Sequence, residues 1–305
     1  MKQTKVGLIA VVFAAFFWLL PSVGWAVDVD CDSGGVLQDA ISAAGPGGTI
    51  QVINGSTCNE NVVIGVGKNS ITLDGLGTAT INGPDSTSPT IDVNGRRITI
   101  KSFTITGGQE GIHTIRGGTA RIDDNIIENT GRSGVGIHNQ SSAVIVNNTI
   151  QNNPADGINV IGGSNAFIGV RSGSDTVASP NTIQDNGRHG VLVTRSSNAR
   201  IVGNTISGNT EDGVRVARVS QADISNNTIN SNSQNGIFVS ENSGVNLGMD
   251  TGTGIFEAPN STTANNTLYG LRCRLNSYAD GRRGTLKGTS GVQSFAQGCV
   301  NSTIP

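Results

Sequence analysis

Six residues able to carry protons or make strong hydrogen bonds each stand directly before a glycine: Glu110, Ser133, Asp156, His189, Asp212 and Asn235. The glycines themselves, Gly111, Gly134, Gly157, Gly190, Gly213 and Gly236, are spaced by 23, 23, 33, 23 and 23 residues. The chain has only 3 histidines, His113, His138 and His189, and all fall on the stretch that begins at such a glycine or on its rim. If successive repeats stack, Asp156, His189 and Asp212 become neighbours. An imidazole between two carboxylates would hold a proton near neutral pH. The two carboxylates would be about 9.6 Å apart, near the upper end of the roughly 6.5–9.5 Å over which one acid protonates a leaving oxygen while the other activates water. Arg188 and Arg215 flank the trio and Arg195 follows on the His189 repeat, and guanidinium forks bind carboxylates through paired hydrogen bonds. Asp156, His189 and Asp212 are therefore the candidate catalytic residues, and Arg188, Arg195 and Arg215 the candidate substrate-binding residues. The plainer reading is that Asp, Asn and Ser are ordinary turn residues before glycine, and a stack aligns whatever it repeats.

The elements that would position these groups are legible in the same period. Fourteen residues after the glycine of each unlengthened repeat comes Asn125, Asn148, Asn204 or Asn227, and two further on Ile127, Ile150, Ile206 or Ile229. Apolar residues also stand one and three after the glycine, as in Val191 and Val193, and a small residue then Ile stand nine and eleven after it, as in Ala199 and Ile201. Each repeat thus holds three short alternating stretches separated by polar turns, and alternation means that one side of each is buried. Three strands in a 23-residue period make a solenoid whose coils pair in parallel about 4.8 Å apart. The asparagines fall at the turns, where an amide can satisfy backbone groups of the next coil. About nine or ten coils are expected, a rod of about 45 Å. Two repeats carry ten extra residues, at 169–180 and 248–259, and these match at a shift of 79 (Gly169 with Gly248, Pro180 with Pro259). They read either as a duplicated loop folded on the rod or as a pair of arms.

Composition excludes much else. Gly accounts for 43 of 305 residues, aromatic residues for 4% and charged residues for 14%, which disfavours a helical bundle. A net charge of −2 argues against a nucleic-acid partner. Lys2 and Lys5, the apolar run Val6 to Leu20, Pro21, and small Gly24 and Ala26 form the layout of an export signal over 1–26. The mature chain, 27–305, is expected outside the cytoplasm, secreted or periplasmic, and not embedded in a membrane. An even set of cysteines in an exported chain suggests disulfides. Three pairings are possible, and Cys31–Cys58 with Cys273–Cys299 is favoured because each closes a local loop. The spacings do not suit zinc, and neither a metal nor a cofactor is expected. Val36, Leu37, Ala40, Ile41 and Ala44 have helical spacing before Gly45-Pro46-Gly47-Gly48, so a capping helix is expected within 27–48. Coils are expected over 49–270, and a C-terminal cap over 271–305.

Leu37-Gln38-Asp39-Ala40-Ile41, Gly48-Thr49-Ile50 and Asn59-Glu60-Asn61-Val62-Val63-Ile64, with the recurring Asn-Thr-Ile and Gly-Ile, resemble bacterial right-handed parallel β-helix proteins of the pectin-lyase-like superfamily. The resemblance spans roughly 31–300. It implies an all-β fold, a single-stranded three-sided right-handed parallel β-helix with an N-terminal capping helix. That superfamily holds polysaccharide lyases, glycoside hydrolases, uronan epimerases, pectin esterases, phage tailspikes and non-catalytic proteins, and fold does not choose among them. Its catalytic groups often lie on the first strand and its flanking turns, and the matching strand here follows each repeat glycine. Arg188-His189-Gly190 echoes the Gly-His-Gly of polygalacturonases, but the preceding coil offers Asp156 alone. The Asp-Pro-His-Glu of alginate epimerases and the clustered calcium-binding aspartates of pectate lyases are absent. The resemblance implies a partner that is a polysaccharide or cell-surface glycan, extended and acidic, lying along the first-strand face and bound, or cleaved by a hydrolase or lyase. Both Trp residues lie in the export segment and both Tyr near the C-terminus, so aromatic platforms for sugars are scarce. The alternative is a non-catalytic structural or surface-interaction solenoid.

Overall fold

The computed structural model describes residues 26–249, 254–296 and 298–305. The expected export segment 1–26 therefore lies, except for Ala26, outside the described residues. The chain winds into a parallel β-solenoid of about 12 turns, about 53 Å long. One face is a ten-stranded parallel sheet running from Val62–Ile64 through Ile112–Thr114, Val135–His138, Ile158–Ile161, Val191–Thr194 and Val214–Ala217 to Ile237–Val239, Tyr269–Cys273 and Gly291–Phe295. The second face holds strands such as Ser142–Val146, Asn198–Val202 and Gln221–Ser225, and the third holds Thr149–Gln151, Thr205–Ser207 and Thr228–Asn230. Near the N-terminus the strands Thr72–Gly83 and Ile98–Gly107 run unbroken round the corner between these two faces, with a register shift between Asp74 and Ala79.

The repeat residues do what their spacing requires. Ile145, Ile201 and Ile224 are fully buried, and Ile201 pairs in register with Ile168 and Ile224. The repeat glycine has a steric cause. A Cβ on Gly157, Gly190 or Gly213 would come within 2.6, 2.5 or 2.6 Å of Ile183, Ile206 or Ile229 Cγ2, so only hydrogen fits where the turn crosses the core isoleucine. The asparagines form two ladders. Asn181 donates from its backbone N–H and its Nδ2 to Asn204 Oδ1 (3.0 and 2.9 Å), and Asn204 does the same to Asn227 (2.9 and 3.0 Å). Asn204 Nδ2 also reaches the Ile168 carbonyl at 2.9 Å. The second ladder runs Asn153, Asn186, Asn209, Asn232 and Asn266.

The N-terminal end is covered as expected by a helix, Leu37–Ala43, which buries Leu37 and Ile41. Its first N–H groups lack a local cap. Glu60, from the adjoining coil, accepts from Leu37 and Gln38 at 2.8 and 3.0 Å, placing a carboxylate at the positive end of the helix. Both favoured disulfides are formed, Cys31–Cys58 and Cys273–Cys299. The C-terminal end differs from expectation. Rather than a separate cap, residues 271–305 add coils: Tyr278–Arg282 pairs in parallel with Gly244–Leu247 and with Val300–Ile304. The count of nine or ten coils was low for this reason and because Val27–Val29 already pairs with Thr49–Val52. These terminal coils lack the Gly and Asn columns by which the inner ones are recognised.

The described parts of the two insertions fold against the rod and against each other. Ser179 N–H closes the neck of the first on Gly169 carbonyl at 2.7 Å. The second carries a short helix, Gly254–Glu257, whose Phe256 packs with Val170 of the first insertion and Val202 of the rod in a small separate core. Arg200 sits over Phe167 and Phe256, at 5.9 and 5.3 Å from the ring centres. Among the described residues no helix is long and apolar enough to cross a membrane.

Candidate functional site

The column before the repeat glycines is a ladder of its own. His189 N–H approaches Asp156 Oδ1 at 3.3 Å, Asp212 N–H donates to His189 Nδ1 at 3.2 Å, and Asn235 donates from N–H and Nδ2 to Asp212 Oδ1 at 3.1 and 2.7 Å. Each side chain thus accepts a backbone N–H from the coil that follows. The trio is brought together as the spacing implies, but it does not face solvent. Asp156, His189 and Asp212 are 2%, 2% and 0% exposed. These turn side chains fold over the next turn's amides through Oδ1 and lie beneath Arg188 and Arg215 through Oδ2, so they are covered.

The expectation of a protonated imidazole is also corrected. His189 Nδ1 accepts a backbone N–H, so its proton sits on Nε2, which faces Glu211 Oε2 at 3.0 Å. Burial, with the Arg215 and Arg188 charges adding to it, pushes the imidazole down to about 3. It is neutral at physiological pH. Burial raises both Asp156 and Asp212 above the usual carboxylate range, opposed by Arg188 at the first and by Asn235 hydrogen bonds and Arg215 at the second.

The three arginines separate. Arg188 lies over the ladder, 3.6 Å from Asp156 Oδ2 and 3.8 Å from Glu211 Oε1, with 45% of its side chain exposed. Arg215 is anchored 3.5 Å from Asp212 Oδ2 and 3.9 Å from Glu241 Oε1. Arg195 is exposed at the far end of the strand Val191–Thr194, in a left-handed turn. It belongs to the other rim of the face and does not join the cluster.

Sequence reasoning missed what Arg215 touches. On the outer surface of the ten-stranded sheet, Arg215, Phe238 and Arg272 are in register on successive strands. Both guanidiniums lie over the ring, at 4.5 and 5.3 Å from its centre, a cation–π arrangement. The signal was present. Phe238 lies between core residues Ile237 and Val239, in the outward position that Arg215 and Asn159 occupy in their repeats. Glu211, the partner of both Arg188 and His189, was missed too, because it lies one residue outside the glycine-flanking column. Arg188 and the Arg215–Phe238–Arg272 stack make a strip of guanidiniums along the face, braced by Asp156, Glu211, Asp212 and Glu241. A second surface lies elsewhere. A groove of about 440 Å³ on the second face is floored by Ala143, Ala166, Ala199 and Ala222 and edged by Asn165 and Arg200.

A family model described as a right-handed β-helix region matches residues 89–251, just over half of the chain. No curated protein matches in sequence. Among solved structures, pectate lyase Pel9A is similar at 13% identity and a TM-score of 0.56, over 92% of this chain and 79% of that one. The enzymatically active domain of bacteriophage CBA120 tailspike protein 2 is similar at 15% identity and a TM-score of 0.52, over 85% of this chain and 40% of that one. At these identities the likeness shows the fold.

Proposed function

Because the chain belongs to the right-handed β-helix family, whose members share a scaffold rather than an activity, we propose its function from its own surface. The protein binds an extended acidic polysaccharide along the ten-stranded face, outside the cytoplasm. The Arg215–Phe238–Arg272 stack carries this reading. It places two cations and an aromatic ring along the rod axis on adjacent coils, about 4.8 Å apart, on a face about 34 Å long from Asp92 to Arg272 at that rise. Guanidiniums are planar donor forks of the kind that binds carboxylates. Arg188 extends the strip. Asp156, His189 and Asp212 hold it from below, Asp156 beneath Arg188 and Asp212 beneath Arg215, so they act as positioning residues rather than as the proton carriers that the sequence suggested. Burial of that trio supports binding without cleavage. Two disulfides and the signal-like leader support export.

Calorimetry with oligogalacturonate, oligoalginate and a neutral glucan tests the reading. Binding of the two uronans, weakened by salt, is expected, with Arg215→Ala and Arg272→Ala each losing about tenfold, or 1.4 kcal/mol. Arg200→Ala, on the second face, serves as the control. Loss of binding in that variant with no change in the other two would move the ligand to the groove beside Ala199. Equal binding of the neutral glucan would remove the acidic specificity.

A further inference from the structure

The other two histidines lie at the opposite end of the same face, in a cluster the strip does not use. His113 and His138 both point outward, on adjacent strands that pair Gly136 with His113. Their rings meet edge to face, with His113 Nε2 2.9 Å from His138 Nδ1. The far nitrogen of each ring is already committed. His113 Nδ1 is 3.1 Å from Asp92 Oδ1, and Asn94 holds the other oxygen of that carboxylate at 2.9 Å. His138 Nε2 is 2.6 Å from Asn159 Oδ1, and Asn159 spends its Nδ2 on Ser133 at 2.9 Å. A carboxylate and an amide oxygen can only accept. With both rings neutral, His113 carries its proton on Nδ1 and His138 on Nε2, which leaves two lone pairs pointing at each other, and a proton or a metal ion is needed between them.

A third group converges on that point. Glu110 is 3% exposed. Among the described residues its carboxylate makes no hydrogen bond, and His113 Nε2 stands 3.7 Å from its Oε2. It occupies the space left by Gly136, where a Cβ would stand 3.1 Å from Glu110 Oε2. One ligand atom from each of Glu110, His113 and His138 lies within 4.8 Å of the others. A buried carboxylate without a hydrogen bond is costly, and two facing lone pairs repel. A cation between them resolves both.

We propose that Glu110, His113 and His138 form a binding site for a divalent transition-metal ion, Zn²⁺ in the first instance. Two imidazoles and one carboxylate are a borderline-soft donor set that suits such ions rather than Ca²⁺ or Mg²⁺. Asp92 and Asn159 are the outer partners that orient metal-bound histidines and raise their basicity. Ligation at about 2.0–2.1 Å from each nitrogen parts the rings by about half an ångström, and solvent reaches the site, since the His113 side chain is 13% exposed. A sequence reading that sought clustered cysteines or aspartates passes over this set, because its members are spaced by 3 and 25 residues and only coil stacking joins them.

The test uses the tag-free mature chain, stripped with a chelator and dialysed against Zn²⁺, with Co²⁺ absorption as a second readout. A single ion per chain is expected, with visible Co²⁺ bands that indicate nitrogen ligation. His113→Ala and His138→Ala should each weaken uptake by more than about 100-fold, and Asp92→Asn by about 10–100-fold. Gly136→Ala removes no donor but displaces the Glu110 carboxylate, so it should weaken Zn²⁺ even if a histidine variant folds poorly. No stoichiometric uptake, or uptake unchanged in both His113→Ala and Gly136→Ala, overturns the proposal. So does an imidazole ¹⁵N spectrum showing one proton shared between the rings in the presence of Zn²⁺. None of these readouts involves a polysaccharide, so the site stands or falls apart from the uronan strip.

Discussion

The backbone N–H of Asp212 donates to Nδ1 of His189, one coil earlier in the rod, at 3.2 Å. This bond decides the chemistry of the column. It takes the lone pair that a general base would use and fixes the proton on Nε2, against Glu211. The imidazole serves as a structural acceptor, in the manner of the asparagines on the other corners.

A pH dependence follows. The unfolded imidazole takes up its proton near its ordinary value of about 6.5, whereas the folded one, held down by burial and by Arg215 and Arg188, does so at about 3. Between those values the unfolded chain binds more protons, so stability falls as pH falls through this window. Asp156 and Asp212 act in the opposite sense. Their raised values add stability as pH falls toward the ordinary carboxylate value of about 3.9. His189→Asn keeps an acceptor in the column and should flatten the loss of melting temperature on acidification below about pH 6.5. Identical slopes for both proteins would show that His189 does not set it.

The first asparagine ladder should be cooperative along the rod. Asn204→Ala removes the acceptor for Asn181 N–H and Nδ2 and the donor to the Ile168 carbonyl. All are buried, so the loss should be about 1–3 kcal/mol or more. Asn204→Asp restores the acceptor but not the donor and should recover part of it. Urea melts of the two variants make the comparison, and equal stability of Asn204→Ala and the parent would remove the ladder from the account.

Core stacking gives a separate expectation. Ile201→Ala leaves a cavity between Ile168 and Ile224 and should cost about 2–5 kcal/mol. Val63→Ala, at an exposed position, should change stability by less than about 0.5 kcal/mol. Thermal unfolding that does not rank the two in this order would mean that the stack is looser than its burial implies.

The terminal disulfide should matter more than its position suggests. Cys273–Cys299 ties two coils that lack the asparagine columns, and its removal with a Cys273→Ser, Cys299→Ser pair should cost about 2–4 kcal/mol. Loss should start at the C-terminal coils. Hydrogen exchange should show protection falling first over Tyr278–Arg282 and Val300–Ile304. Uniform loss along the whole rod would contradict a local staple.

Uronan binding should tolerate changes beneath the strip better than changes in it. Asp212→Asn keeps the Asn235 contact and the turn while loosening Arg215, so it should weaken binding by less than Arg215→Ala does. Abolition of a turnover by Asp212→Asn, with binding intact, would return the acid–base role to the column.

The sequence by itself determined the period, and the period determined most of the rod. Gly157, Gly190 and Gly213 recur because a core isoleucine leaves no room for a Cβ. Asn181 and Asn204 recur because each satisfies the next. Ile201 recurs because strand alternation buries every second residue. Each of these rules is local or acts at one fixed offset, so each leaves a mark at a constant spacing. The disulfides were legible for a similar reason, since each closes a loop of one coil. The tertiary structure alone decided which way the column before the glycines faces. Alternation holds only within strands, and Asp156, His189 and Asp212 sit in turns, where the backbone angles and the next coil's amides choose the direction. It also decided the Arg215–Phe238–Arg272 stack and the meeting of Glu110, His113 and His138. Both depend on which side chains meet sideways between coils, and a one-dimensional repeat records that residues are neighbours without recording whether their polar atoms touch.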